Sequence, residues 1–354
     1  MTYPAPLPTV LTWLRVWLFV LAGLVVCMVM LGGATRLTHS GLSITEWQPV
    51  SGIVPPLSEA DWQAEFAKYQ LIPEYKLLNK GMSLASFKPL FWWEWSHRML
   101  ARVVVLLLIG GVAVFLSLGQ SRRLLWRELT GILALGAAEG VAGWYMVASG
   151  LQDRTDVSQY RLALHLGIAT LIFALAVWAG LKVSRSQSSW TGLSKVAGLL
   201  AAAVYGQILL GAFVAGLDAG LSHNTWPLMD GRLIPHGLKA MTPAWVNPFE
   251  NPLTAQFDHR MWAYCIAGLA LINHLANWRQ GSARQLTSAS VVLYIVLAQI
   301  ALGIWTLLWA APLHLALTHQ VTAMAVLAAA LWHLHRSLAE PGAAIIPAQA
   351  PASA

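Results

Sequence analysis

The sequence predicts an all-α membrane protein whose eight transmembrane helices form two tandem, pseudo-symmetric four-helix bundles. Three observations carry this prediction. The first is composition: 57% of the 354 residues are hydrophobic and 10% are charged, against about 25% charged in an ordinary soluble domain. The second is distribution. The apolar residues gather in eight runs, near 13–35, 97–117, 127–148, 160–181, 195–216, 259–278, 286–309 and 313–334. Each is close to the ~20 residues a helix needs to cross a bilayer. The third is an internal repeat. Gly41-Leu-Ser-Ile-Thr-Glu-Trp47 aligns with Gly220-Leu-Ser-His-Asn-Thr-Trp226, with Gly52 and Pro56 matched by Gly231 and Pro235. Further along, His97-Arg98 matches His259-Arg260, Glu139 and Gly143 match Gln299 and Gly303, and His165 matches His319. Four spans per unit return the chain to its starting side, so the repeats are parallel, about an axis along the membrane normal.

The elements follow in order. The N-terminus is short, with only Arg15 before the first apolar run, and that run is too long for a cleaved signal; it is expected to be the first span. Short loops on one side carry Arg122, Arg123, Arg127, Lys182, Arg185, Lys195, Arg279 and Arg284, whereas those on the other carry only Arg154 and Arg161. Lys/Arg bias in short loops sets orientation. Both termini are therefore expected in the cytoplasm, with the long segments 36–96 and 217–258 outside. Asp61 to Tyr69 reads as a short helix, with Ser58 and Asp61 spaced as a capping box. The expected division is an N-terminal half (1–190) with the long outer loop 36–96, a C-terminal half (191–340), and a disordered Ala/Pro-rich tail (341–354). The net charge of +7 does not cluster on a soluble face, which excludes a nucleic-acid partner. Cys27 and Cys265 lie inside apolar runs and frame neither a disulfide scaffold nor a thiolate metal site.

His97 and His259 open spans two and six, and His165 and His319 lie about five and six residues into spans four and eight. At ~1.5 Å per residue, all four sit within one or two turns of the same surface. A lone interfacial histidine is readily a snorkelling or hydrogen-bonded side chain. Four that obey the repeat point to function, because ionisable groups inside a membrane are costly. Two imidazoles from facing helices can fill both axial positions of a haem iron, and each half offers two. Zinc suits the pattern less well, since its sites take three or four close protein ligands. The other seven histidines, His39, His223, His236, His274, His314, His333 and His335, have no repeated partner and are expected in ordinary polar roles.

Arg98 and Arg260 follow the first histidine of each pair. With Arg36 and Arg102 they are candidates to hold haem propionates, because guanidinium binds carboxylates bidentately; anchoring to lipid headgroups is the alternative for each. Glu94 lies three residues before His97, where Gln256 lies before His259. A helical i,i+3 spacing places Glu94 on the face of His97. An acid in one half only points to chemistry there and support in the other; a helix-dipole partner is the alternative. Glu139, matched by Gln299, is expected as a polar contact between helices. On these residues alone, a haem enzyme and a bis-histidine di-haem b electron carrier both remain open. A secondary transporter with parallel repeats is disfavoured, because the polar residues gather at one face rather than the midplane.

A set of short motifs then narrows the reading. Thr35-Arg-Leu-Thr38, Ser40-Gly-Leu-Ser43, Pro73-Glu-Tyr75, Phe87-Lys88, Glu94-Trp-Ser-His-Arg98, Gly143-Trp-Tyr-Met-Val147, Asn224-Thr-Trp-Pro-Leu-Met229, Phe257-Asp-His-Arg260 and Thr318-His-Gln320 occur in an order and spacing that resembles the haem A synthase family. The resemblance runs from about Arg15 to His335, and the extended first outer loop is similar to the proteobacterial and mitochondrial branch. It implies an oxidoreductase of a bacterial inner membrane that converts the C8 methyl of haem O to a formyl group, making haem A for terminal oxidases. It implies two successive hydroxylations and loss of water from a geminal diol. It also implies that His97 and His165 hold the substrate haem O, that His259 and His319 hold a haem b cofactor, and that Glu94 is the functional acid, a candidate general base. A haem O synthase, an electron donor and further copies of the chain are the partners it implies. Two departures stand out. The outer-loop cysteine pair of some relatives is absent here, and Glu139 stands where the family pattern leads one to expect Gln.

Overall fold

A long apolar run can satisfy its backbone in lipid only by closing its own hydrogen bonds, and helices dominate the chain. The structure, a computed structural model, describes residues 9–48, 51–151, 155–183 and 189–338. In order, the helices are α1 (Thr9–Leu37), α2 (Glu59–Tyr69), α3 (Pro73–Leu77), α4 (Leu84–Ser117), α5 (Gly119–Gly150), α6 (Gln159–Lys182), α7 (Gly192–Gly216), α8 (Asn247–Glu250), α9 (Pro252–Gln280), α10 (Ala283–Leu308) and α11 (Leu313–Ser337). The expected disordered tail 341–354 and the loop cations Arg154 and Arg185 lie outside the described residues.

Seven helices, α1, α4, α5, α6, α7, α10 and α11, are long and apolar enough to cross a membrane. α9 is as long as α1, at 29 residues, but it carries Asp258, His259, Arg260, Asn273, Asn277 and Arg279 and falls short of that apolarity. The faces turned away from the protein are as apolar as those turned inward. On α4, Leu108, Val112 and Phe115 are buried while Val103, Leu106, Ile109 and Val114 are exposed. A helix apolar all round is at home in lipid or a large core.

Within the described residues α1 packs on α4 and α6, and α5 on α4 and α6; likewise α7 packs on α9 and α11, and α10 on α9 and α11. α1 and α6 also meet α11, and α6 meets α7, across the middle. Lipid gives apolar helix faces little reason to associate, so close approach at small residues matters more. Trp17 on α1 lies over Gly111 of α4 and donates its indole N–H to the Leu107 carbonyl at 3.3 Å. Phe19 lies over Gly180 of α6.

The segment between α1 and α4 holds a separate cluster of Trp62, Phe66, Tyr69, Ile72, Phe87 and Phe91 over buried Leu42. The expected capping box is present: Ser58 accepts from the Asp61 N–H at 3.1 Å, and Asp61 accepts from the Ser58 N–H at 2.9 Å. One expectation is corrected. The second long helix begins not near residue 97 but at Leu84, capped by Ser83, whose hydroxyl accepts from the Ser86 N–H at 3.2 Å. Pro89 sits inside it, in the second turn, where it gives up the backbone hydrogen bond to the Ala85 carbonyl. The first dozen residues of α4 thus stand within the loop and carry Glu94 and His97 into the bundle on one rigid rod.

Candidate functional site

Each of the four repeated histidines lies on one helix and rests on a glycine of the neighbouring one. His97 of α4 faces Gly32 of α1, His165 of α6 faces Gly143 of α5, His259 of α9 faces Gly211 of α7, and His319 of α11 faces Gly303 of α10. A methyl group at these glycines would come within 3.0, 3.0, 3.2 and 2.8 Å of the respective ring Cε1 atoms. The notch is part of the repeat, and only a missing side chain makes room for the ring edge. The histidines act on one another in pairs: His97 lies within electrostatic reach of His165, and His259 of His319. Among the described residues, no three His, Cys, Asp or Glu side chains converge on one ion position.

All four Nδ1 atoms are buried without a hydrogen-bond partner. Four imidazoles each held with an unpaired buried nitrogen would be expensive as mere packing, and rings fixed in this way fit a group that uses them as ligands. Two imidazoles per half can supply both axial positions of a haem iron.

The arginines take definite places as ties between loop and helix. Arg98 donates to the Ile44 carbonyl at 2.7 Å, to the Glu46 carbonyl at 2.8 Å, and to Glu94 Oε1 through Nη2 at 2.6 Å and Nε at 3.1 Å. Arg260 repeats the pattern. It donates to the His223 carbonyl at 2.7 Å, the Thr225 carbonyl at 2.9 Å and Gln256 Oε1 at 2.7 Å. Both therefore tie the loop before the helix to the helix itself. Arg102 ties down the same loop through the Gln48 carbonyl at 2.9 Å. Arg36 reaches the other half, donating to Asp218 and to the Ala215 carbonyl, each at 2.9 Å. A pocket of about 340 Å³ opens between the loop and α4, lined among others by Phe91, Trp95, Arg98 and Arg102.

Glu94 is 3% exposed. Besides Arg98 on Oε1, its Oε2 accepts from the Ser43 hydroxyl and from the Ile44 N–H, both at 2.8 Å. Four donors on one carboxylate match an ionised acid. Gln256 does the corresponding job with opposite polarity, donating its amide to the Ala219 and Ser222 carbonyls at 2.5 and 2.7 Å. Glu139 of α5 meets α6 at a polar side chain. Its Oε1 lies 3.1 Å from His165 Nδ1, off the angle of a hydrogen bond.

The ordinary histidines behave as expected where contacts are seen. His333 sits between Ser288 (2.8 Å) and Asn273 (3.0 Å), His274 meets Ser290 at 3.3 Å, and His223 meets Asp230. Two features escaped the sequence reading. The glycine notches were legible only as the repeat pair Gly143 and Gly303. The other is Glu74 of α3, 3% exposed with Oε2 lacking a hydrogen bond; burial, with Asp156 and Glu94 as nearby like charges, pushes its carboxyl up to about 8. Its only sequence signal was its place in Pro73-Glu-Tyr75.

Fold and site together define a helical membrane protein with two histidine pairs on a repeated scaffold. The chain belongs to the cytochrome oxidase assembly protein family, whose model matches residues 15–331. It is 50% identical to the haem A synthase of Parvibaculum lavamentivorans over 322 residues, covering 90% of this chain and 93% of that one. It is 51% identical to the haem A synthase of a Chelativorans species over 324 residues (91% and 90%), and 49% identical to that of Rhizobium rhizogenes over 317 residues (88% and 86%).

Proposed function

We propose that this protein is an oxidoreductase that converts haem O to haem A, oxidising the C8 methyl to a formyl group for use in terminal oxidases. The carrying observation is the twofold set of half-buried histidines, each with a buried Nδ1, on glycine notches, in a chain about half identical to haem A synthases along nine tenths of its length. In this reading α9 also crosses the membrane, as the sixth of eight spans, and the halves 1–190 and 191–340 are tandem four-helix bundles. Both termini face the cytoplasm of a bacterial inner membrane, with the histidines toward the outer face; the Lys/Arg bias of the short loops supports this.

His97 and His165 hold the substrate haem O in the N-terminal half, and His259 and His319 hold a haem b in the C-terminal half. A bound haem b supplies one-electron transfer; the rest is done by the chain. Arg36 and Arg260 each keep a buried Nε with no hydrogen-bond partner, a donor left for a propionate, and Arg98 and Arg102 close the loop beside the pocket. Glu94 serves as the proton acceptor of the N-terminal site. Its lone pairs are taken in the resting arrangement, but the Ser43 hydroxyl has a second acceptor, the Leu90 carbonyl at 3.2 Å. Turning that hydroxyl to Leu90 frees an Oε2 lone pair for a proton, while Arg98 holds the carboxylate in place. Haem O arrives from a haem O synthase, dioxygen is the oxidant and gives up one oxygen atom as water in each hydroxylation with two electrons from a separate donor, and copies of the chain associate with one another.

The test is haem extraction and chromatography from a host that makes haem O, with and without this protein and with a reductant supplied. A haem A peak that Glu94→Ala removes is the expected result. Haem b alone, with haem O untouched, would leave an electron carrier in place of the enzyme.

A further inference from the structure

Four residues before each notch glycine, on the same helix face, stand Met28, Glu139, Gln207 and Gln299. In the C-terminal half both are glutamines: the Gln207 amide donates to the His259 carbonyl and the Gln299 amide to the His319 carbonyl, each at 2.9 Å, and the Gln207 amide also lies 3.4 Å from His259 Nε2. They steady the backbone of the histidine and carry no charge. In the N-terminal half one position is apolar. The other is an acid whose oxygen sits 3.1 Å from the ring Nδ1 of His165. The scaffold is repeated here and the chemistry is not.

We infer that Glu139 is a positioning residue that fixes His165 with its proton on Nδ1 and makes it the most electron-rich of the four imidazoles. An ionised carboxylate at this distance favours the tautomer with the proton on Nδ1, which leaves the Nε2 lone pair for an iron. A carboxylate behind a ligating imidazole raises the ring's basicity and sets its orientation. The extra electron density favours the ferric state of whatever haem His165 binds, so the N-terminal haem takes a lower midpoint potential than its scaffold alone would give it. The C-terminal haem, backed by neutral amides, has no such bias. This inference rests on the proposed role of His165 as a haem ligand.

The test is a spectroelectrochemical titration of the full-length, haem-loaded protein, with electron paramagnetic resonance of the ferric form. His165→Ala assigns the N-terminal signal. Glu139→Gln is expected to raise the midpoint of that signal and alter its ferric g-values, leaving the C-terminal haem unmoved, while Glu139→Asp keeps part of the wild-type shift. Gln299→Glu, a separate variant that does not depend on Glu139→Gln folding, is expected to lower the C-terminal midpoint. An N-terminal haem whose potential and ferric spectrum ignore Glu139→Gln would overturn the inference and spare the haem assignment. Full retention of every haem signal in His165→Ala would overturn the ligand reading, and the inference with it.

Discussion

At the scale of single residues, the site is held by absences as much as by side chains. A Cβ on Gly303 would fall 2.8 Å from His319, closer than carbon atoms tolerate, whereas one on Gly211 would fall 3.2 Å from His259. Overpacking of this kind costs about 1–3 kcal/mol, here taken from the position of a ligand. Gly303→Ala is expected to strip the C-terminal haem from the purified protein, read by absorbance at unchanged helix content, and Gly211→Ala to weaken it less. Equal effects would mean the notches are packing only. Glu94 tests differently. Replacing it with the residue its repeat-mate carries, Glu94→Gln, turns an amide donor toward either Arg98 or the Ile44 N–H. An unsatisfied buried donor costs about 1–3 kcal/mol, so the loop should loosen, seen as faster amide exchange at Ile44, and haem A formation should stop. Activity retained with Gln would make Glu94 a clamp and nothing more.

At the scale of elements, the sequence reading and the structure part company in one instructive place. The apolar runs, the repeat, the four histidines and the Ser58 capping box were legible because each rests on local pattern or spacing. The true start of α4 was not. Pro89 reads as a breaker and the Trp- and Phe-rich stretch around it as an interfacial belt, yet Ser83 caps the helix and Phe87 and Phe91 bury themselves against α2. Tertiary packing decided the boundary. The clamp roles of Arg98 and Arg260 were hidden for a similar reason, since their partners are carbonyls some 35 to 54 residues away. The same loop element holds Glu74. Its carboxyl is about 8 in the fold against 4.5 as an ordinary glutamate. The fold therefore keeps a proton that the unfolded chain releases, and this group's contribution to stability is full below pH 4.5 and falls as pH rises toward 8. Glu74→Gln is expected to stabilise the loop domain at pH 7.5 by roughly 1–3 kcal/mol and to flatten its melting temperature across that range. A slope unchanged by the substitution would contradict the burial argument.

At the scale of the whole molecule, the halves are joined along α1. Gln320 of α11 donates to the Val29 carbonyl at 3.0 Å with its amide lying over Gly33, and Arg36 pairs with Asp218. The Gln320 contact is packed tightly over a glycine, whereas Asp218 of the ion pair is exposed enough for water to screen it. Gly33→Ala should lower the melting temperature clearly, whereas Asp218→Asn should cost no more than about 1 kcal/mol. The proposed two-site organisation makes its own demand: His97→Ala should abolish haem A formation yet keep the haem proposed for the C-terminal half. Loss of both haems from a folded chain would contradict separate sites.

The seam along α1 also bears on how the chain is threaded. Phe19 of α1 lies over Gly180 of α6, and Trp178 of α6 stacks edge-on with His335 of α11 at 6.0 Å. The early part of the first long helix and the end of the last one thus stand at one level, against the same stretch of α6. A short linker could join them, and the gap between α6 and α7 could serve as new ends. A circular permutant that runs from α7 through α11 into α1 and on to α6 should then fold into the same molecule. The packing has no stake in which half comes first along the chain.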